Sequence, residues 1–101
     1  MIVGHLSATY GVQMYRPEHP WSVGLIDTDR IIADAEALKE RGADWVVVSL
    51  HWGNQYQVST TSRQHSIADT LTASDAIDMI VGHHAHVLQA VEHVNGKLVA
   101  Y

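Results

Sequence analysis

The chain contains no cysteine. That absence excludes a disulfide framework and any thiolate metal site, so a metal here would draw on His, Asp, Glu or Asn. Positive charge is scarce: Lys and Arg total 6 against 11 Asp and Glu, for a net charge of −5. Phosphate-backbone binding needs a basic surface, so nucleic acid is excluded as the main partner. No apolar run approaches the roughly 18–20 residues of a membrane span, and the N-terminus lacks the charged-then-apolar layout of a secretory signal. No membrane segment is therefore expected within the chain. Proline is also rare, with 2 in all, both in one loop.

What remains is an ordinary apolar content of 47% in 101 residues, enough for one small domain near the lower range for a self-sufficient core. Histidine is the oddity, at 8 residues. Three of them crowd the stretch VGHHAHVLQ, residues 81–89, directly after an apolar run. An imidazole carries a polar nitrogen at each end that needs a partner. Such rings are either solvated loop residues or converge on something that wants nitrogen lone pairs.

The hydrophobic pattern predicts the order β, loop, α, β, α, β, hairpin. MIVGHL opens as a short strand, followed by the loop SATYGVQMYRPEHPW, and SVGLI adds a short extended piece. Residues 28–41 read as a helix with Ile31, Ala35 and Leu38 on one face, capped by Thr28 or Asp29 and stopped at Gly42. DWVVVSL and AIDMIVG are continuous apolar runs of the kind found in parallel sheets. Between them, residues 62–73 form a second helix with Ile67, Ala68 and Leu71 facing inward. Asn95-Gly96 marks a terminal hairpin. Strands alternating with helices indicate an α/β fold, a mostly parallel sheet with crossover helices on its faces. The segments 45–50 and 77–81 are expected to be parallel and adjacent or nearly so.

In an open parallel sheet, functional groups collect beyond the carboxyl ends of the strands. His51 follows one buried strand, and His84 and His86 follow the other. A right-handed crossover brings both ends to one edge. Continued as extended backbone, the second strand would turn His84 and His86 to one face and His83 to the other. Neutral imidazoles so placed suit a transition metal, with Gly53 and Gly82 allowing close backbone approach. A lone loop histidine is more often simply hydrogen-bonded, and the pattern alone leaves both readings open. His65 reads as solvated, His93 as a surface strand residue, and His5 and His19 as strand and loop residues. Trp45 and Trp52 read as packing residues. Ser49 precedes His51 by two positions but lacks the small-residue elbow of a serine hydrolase.

ADWVVVSLHWGNQYQ, IDMIVGHHAHVLQAVEHVNGKLVAY and ATYG together resemble the C-terminal part of the CapA-type poly-gamma-glutamate capsule synthesis family, within the calcineurin-like metallophosphoesterase superfamily. The HWG and GHHxHV blocks, in this order and spacing, carry the resemblance. It implies an α/β/β/α sandwich with a dinuclear centre of divalent transition metal (Mn, Fe or Zn) in full-length relatives. By motif position His51 and His84 would bind one metal and His86 the other, with His83 left out. The implied activity is that of a metal-dependent phosphoesterase-like hydrolase acting on an anionic polymer or a phosphate-containing small substrate. The implied setting is the cell surface or a membrane-anchored, extracytoplasmic location. The alternatives are a non-catalytic polymer assembly or export factor, or an inactive fragment.

Two departures from the family pattern stand out. Gln55 occupies a position where relatives often carry Glu, and nothing in the chain matches the superfamily's upstream Asp and Asn-His blocks. KLVAY is still strand-like at Tyr101, and MIVGH begins as a strand. Residues 1–101 are therefore expected to form a partial domain, with the N-terminal half and the final strand region supplied by further chain.

Overall fold

The computed structural model describes residues 1–10, 25–54, 56–85 and 87–101. Five strands and two helices follow one another as β1 (Val3–Thr9), α1 (Thr28–Glu40), β2 (Trp45–His51), α2 (Ser62–Thr72), β3 (Met79–His83), β4 (Val91–Val94) and β5 (Lys97–Ala100). They form one sheet of order β1-β2-β3-β5-β4, parallel throughout except for the β4–β5 hairpin. The expected α/β architecture, the adjacency of β2 and β3 and the terminal hairpin are all present. Asn95 and Gly96 both take positive φ, 51° and 79°, which is what a two-residue hairpin turn requires.

Both helices lie on the same face of the sheet. From β1 to β3 the strand order advances in one direction, and right-handed crossovers that advance one way place their helices on one side. Ile31 and Ala35 of α1 and Ile67, Ala68 and Leu71 of α2 pack on Val46, Val48, Leu50, Ile80 and Val99, every second residue of their strands. One expectation is corrected, that DWVVVSL is buried all along: Val47 and Ser49 point to the other face and are only half buried. No described helix or strand packs there, so Trp45, expected as a packing residue, is 43% exposed, while Trp52 is 2% exposed in the core.

Local signals explain the helix ends. Asp27, not Thr28 or Asp29, caps α1, accepting a hydrogen bond from the Arg30 amide, with Lys39 in the last turn as the helix dipole favours. At α2, Thr61 and Gln64 form a reciprocal capping box. β1 runs to Thr9, three residues beyond the expected end. Its ladder with β2 continues unbroken from Val3–Trp45 to Thr9–His51 and outweighs the loop-like composition of Ser7–Ala8–Thr9. Of the extended piece expected at 22–26, Leu25 makes a parallel bridge to Thr9, and residues 22–24 lie outside the described residues. No helix among the described residues is long and apolar enough to cross a membrane.

Candidate metal centre at the carboxyl edge of the sheet

The carboxyl ends of β1, β2 and β3 align because the registers place Thr9 opposite His51 and His51 opposite His83. Opposed residues of neighbouring strands share a sheet face. The rings of His51 and His83 therefore meet, with centroids 5.0 Å apart, edge to face, and their Nδ1 atoms 3.1 Å apart in a shared hydrogen bond. This corrects the expectation that His83 turns away. The strand ends at His83, and His84 takes φ 106°. At that point the extended alternation stops, so His84 does not swing to the opposite face. Its ring lies 4.2 Å from that of His51. His51, His83 and His84 thus form one cluster, with His51 at its centre. His86, expected as a further ligand, lies outside the described residues, as do Gln55 and His19.

Tyr10, the residue after β1, closes the cluster from the side. Its ring stacks on His51 at 5.8 Å and 7°, and tilts over His84 at 5.0 Å. Its amide donates to the His51 carbonyl, and the Trp52 amide donates to the His83 carbonyl, so each strand end is tied to the next. On the other side an open cavity of ≈ 690 Å³ is walled by His51, His83 and His84 and by Val87, Leu88 and Val91. Leu88 is 93% exposed there.

Beneath the cluster the packing leaves no room. A Cβ on Gly82 would stand 2.2 Å from Trp52 Nε1 and 2.5 Å from the Tyr101 carbonyl oxygen. Trp52 stacks on Tyr101 at 5.5 Å, and its buried Nε1 meets no acceptor among the described residues. Tyr101 Oη lies 3.2 Å from His65 Nδ1. Burial, and then a hydrogen bond and charge from Glu92, push the Tyr101 hydroxyl above its ordinary range. His65, expected to be solvated, is half exposed but partnered by Tyr101, Thr60 and Glu92. His5 and Ser49 share a 2.7 Å hydrogen bond on the face opposite the helices, and His93 is exposed.

The donor chemistry fits a divalent transition metal. Two nitrogens bound to one tetrahedral zinc stand about 3.3 Å apart, given Zn–N bonds of about 2.0–2.1 Å. The Nδ1 pair of His51 and His83 is at 3.1 Å. Among the described residues no group of three or more His, Cys, Asp or Glu side chains has the geometry to hold a metal ion as it stands. Sequence reasoning missed His83 and Tyr10. Only the β2–β3 register, not the motif, reveals His83 as a neighbour of His51.

Residues 4–101 match the family model described as bacterial capsule synthesis protein PGA_cap. The chain is 42% identical over 62 residues to the PGA biosynthesis protein CapA of Bacillus subtilis (strain 168), covering 61% of this chain and 16% of that protein. It is 39% identical over 70 residues to the capsule biosynthesis protein CapA of Bacillus anthracis, covering 69% of this chain and 17% of that protein. No solved structure matches. The chain therefore spans less than two thirds of the length of the relatives it matches. The α-on-β layering and the terminal hairpin agree with the metallophosphoesterase-like fold of that family. With the family model covering nearly every residue, the chain belongs to the bacterial capsule synthesis protein family PGA_cap.

Proposed function

We propose that this chain contributes the histidine side of a metal-dependent, hydrolase-type site in a protein of capsule or poly-gamma-glutamate biosynthesis. His51, His84 and His86 are the proposed ligands, with His83 added on the geometry. The observation that carries the reading is the convergence of His51, His83 and His84 from two strand ends on one cavity. A divalent Mn, Fe or Zn ion bound there would supply Lewis acidity and an activated water for attack on a phosphoryl or comparable anionic group.

The chain's own residues define what such a site does. Its net charge is −5, so the chain and its clustered rings offer an anion little attraction by themselves. They offer lone pairs instead, and a cation held by them would recruit the anion. Tyr10 restrains the rings of His51 and His84 by stacking, which limits the rotamer freedom lost on binding. Val87, Leu88 and Val91 give one side of the cavity an apolar lining. A phosphate-containing small substrate or a segment of anionic polymer is the proposed occupant.

Isothermal titration of the chain with Mn(II) or Zn(II), against His51→Ala, His84→Ala and His86→Ala, tests the reading. Each substitution is expected to weaken binding by tenfold or more. Equal affinity in all four proteins would sink it. Binding by the longer protein without any turnover of phosphoesters would favour a polymer assembly or export role instead.

A further inference from the structure

The two loops that leave the histidine strands are joined by a chain of side-chain amides. Gln64, on the first turn of α2, is 1% exposed. Its Oε1 accepts from the Thr61 amide at 2.8 Å, completing the capping box, and its Nε2 donates to Gln89 Oε1 at 3.0 Å. Gln89 Nε2 in turn donates to the Gln57 carbonyl at 2.6 Å, with the Ser59 carbonyl at 3.4 Å. Gln57 belongs to the loop after His51, and Gln89 to the loop after His84. Gly53, two residues past His51, takes φ 75°, and a Cβ there would stand 2.8 Å from the Gln64 amide carbon. The loop backbone thus lies directly against the Gln64 amide. A backbone hydrogen bond from Tyr56 N–H to the Ala85 carbonyl joins the same two loops close to the histidines.

A cap alone does not need this arrangement. The capping box uses only Oε1 of Gln64; the Nε2 group is left over and is spent on the second loop. A buried amide donor without a partner is costly, so Gln89 is held to its place by the need to satisfy it. We infer that Gln64 and Gln89 are positioning residues, a clamp that sets the spacing between the loop after His51 and the loop after His84 and so pre-arranges the cation site. The cation part of this inference rests on the function proposed above. Groups that orient metal ligands from behind typically change affinity by about 10–100-fold when removed.

The experiment compares Gln89→Met and Gln64→Met with Thr61→Ala, which damages the α2 cap without touching the Gln64–Gln89 bond. Two readouts are taken on the 101-residue chain. The first is hydrogen exchange of the Tyr56 amide without metal, corrected for each variant's global stability. The second is Co(II) affinity, followed by its visible absorption. Both glutamine variants are expected to lose at least tenfold in Tyr56 protection and about tenfold in cobalt affinity, with Thr61→Ala within twofold of native in both. Unchanged corrected exchange in the glutamine variants overturns the clamp, whatever cobalt does. Lost protection in a chain that binds no cobalt supports the clamp and overturns the metal reading instead. Lost protection with native cobalt affinity overturns the claim that the clamp pre-arranges the site.

Discussion

The two ends of the β-strands handle their polar groups in opposite ways. At the amino ends, Asp78 just before β3 meets Lys39 Nζ and the Val46 amide, each at 2.8 Å, and Lys39 also donates to the Asp44 carbonyl at 3.0 Å. An anion, a cation and a backbone donor cancel one another within the chain. At the carboxyl ends, groups of one kind are gathered. Three imidazoles and a tyrosine ring meet edge to face and face to face, and His51 and His83 share a hydrogen bond between their rings. The first arrangement needs no ligand to be complete. The second brings together nitrogen lone pairs of one kind, the proposed ligands of a bound cation, and it is this like-with-like grouping that sets it apart from the charge-balanced site.

The sharpest way to break this contrast is at Gly82, which carries the carboxyl edge. Gly82→Val should destabilise the chain by about 3 kcal/mol, because the new side chain meets Trp52 and the Tyr101 backbone at distances neither can yield cheaply. Urea denaturation checks this, and a loss under about 1 kcal/mol would mean that the Trp52–Tyr101 stack is free to shift.

Asp78→Asn probes the amino edge and should cost about 1–2 kcal/mol at neutral pH, since it removes the ion pair yet keeps an acceptor for the Val46 amide. Its pH dependence has a definite sign. Burial pushes the Asp78 carboxyl up, but hydrogen bonds from Lys39 and Val46 and the charges of Lys39 and Lys97 outweigh it and hold the group below its ordinary 3.8. With the folded value lowered, the stabilisation is fully present above the unfolded value and is lost as pH falls through the folded one. The stability gap between native and Asp78→Asn should therefore narrow on acidification below about pH 4. A gap that stays constant down to pH 2 would contradict the pairing.

The smallest effect is expected on α1. Arg30 and Asp34 approach at 3.9 Å with side chains 70% and 53% exposed. Asp34→Ala should change stability by no more than about 0.5 kcal/mol, as exposed pairs of this spacing do. A loss as large as that at Asp78 would erase the distinction between partly buried and solvated charge on which the comparison of the two edges depends.

Much of this was legible in the residues. Periodicity located both helices and β2, and Asn95-Gly96 located the hairpin, because these signals depend only on neighbours in sequence. The carboxyl-edge position of His51 and His84 followed from strand order and crossover handedness. His83 did not, since its place depends on register with β2 and on the break of extended backbone at His84. Gln64 and Gln89 were equally hidden, because a polar residue on a helix or in a loop reads as solvated until its partners are known.

The sequence by itself determined the element order, the parallel α/β class and the family, through local hydrophobic period and the HWG and GHHxHV blocks. Tertiary structure alone decided that both helices share one face, that His83 joins His51, and that two glutamines bridge the loops behind them. The reason is physical. Period and turn chemistry are set by residues a few positions apart, whereas facing, register and amide pairing are set by groups 25 and 32 positions apart that meet only when the sheet closes.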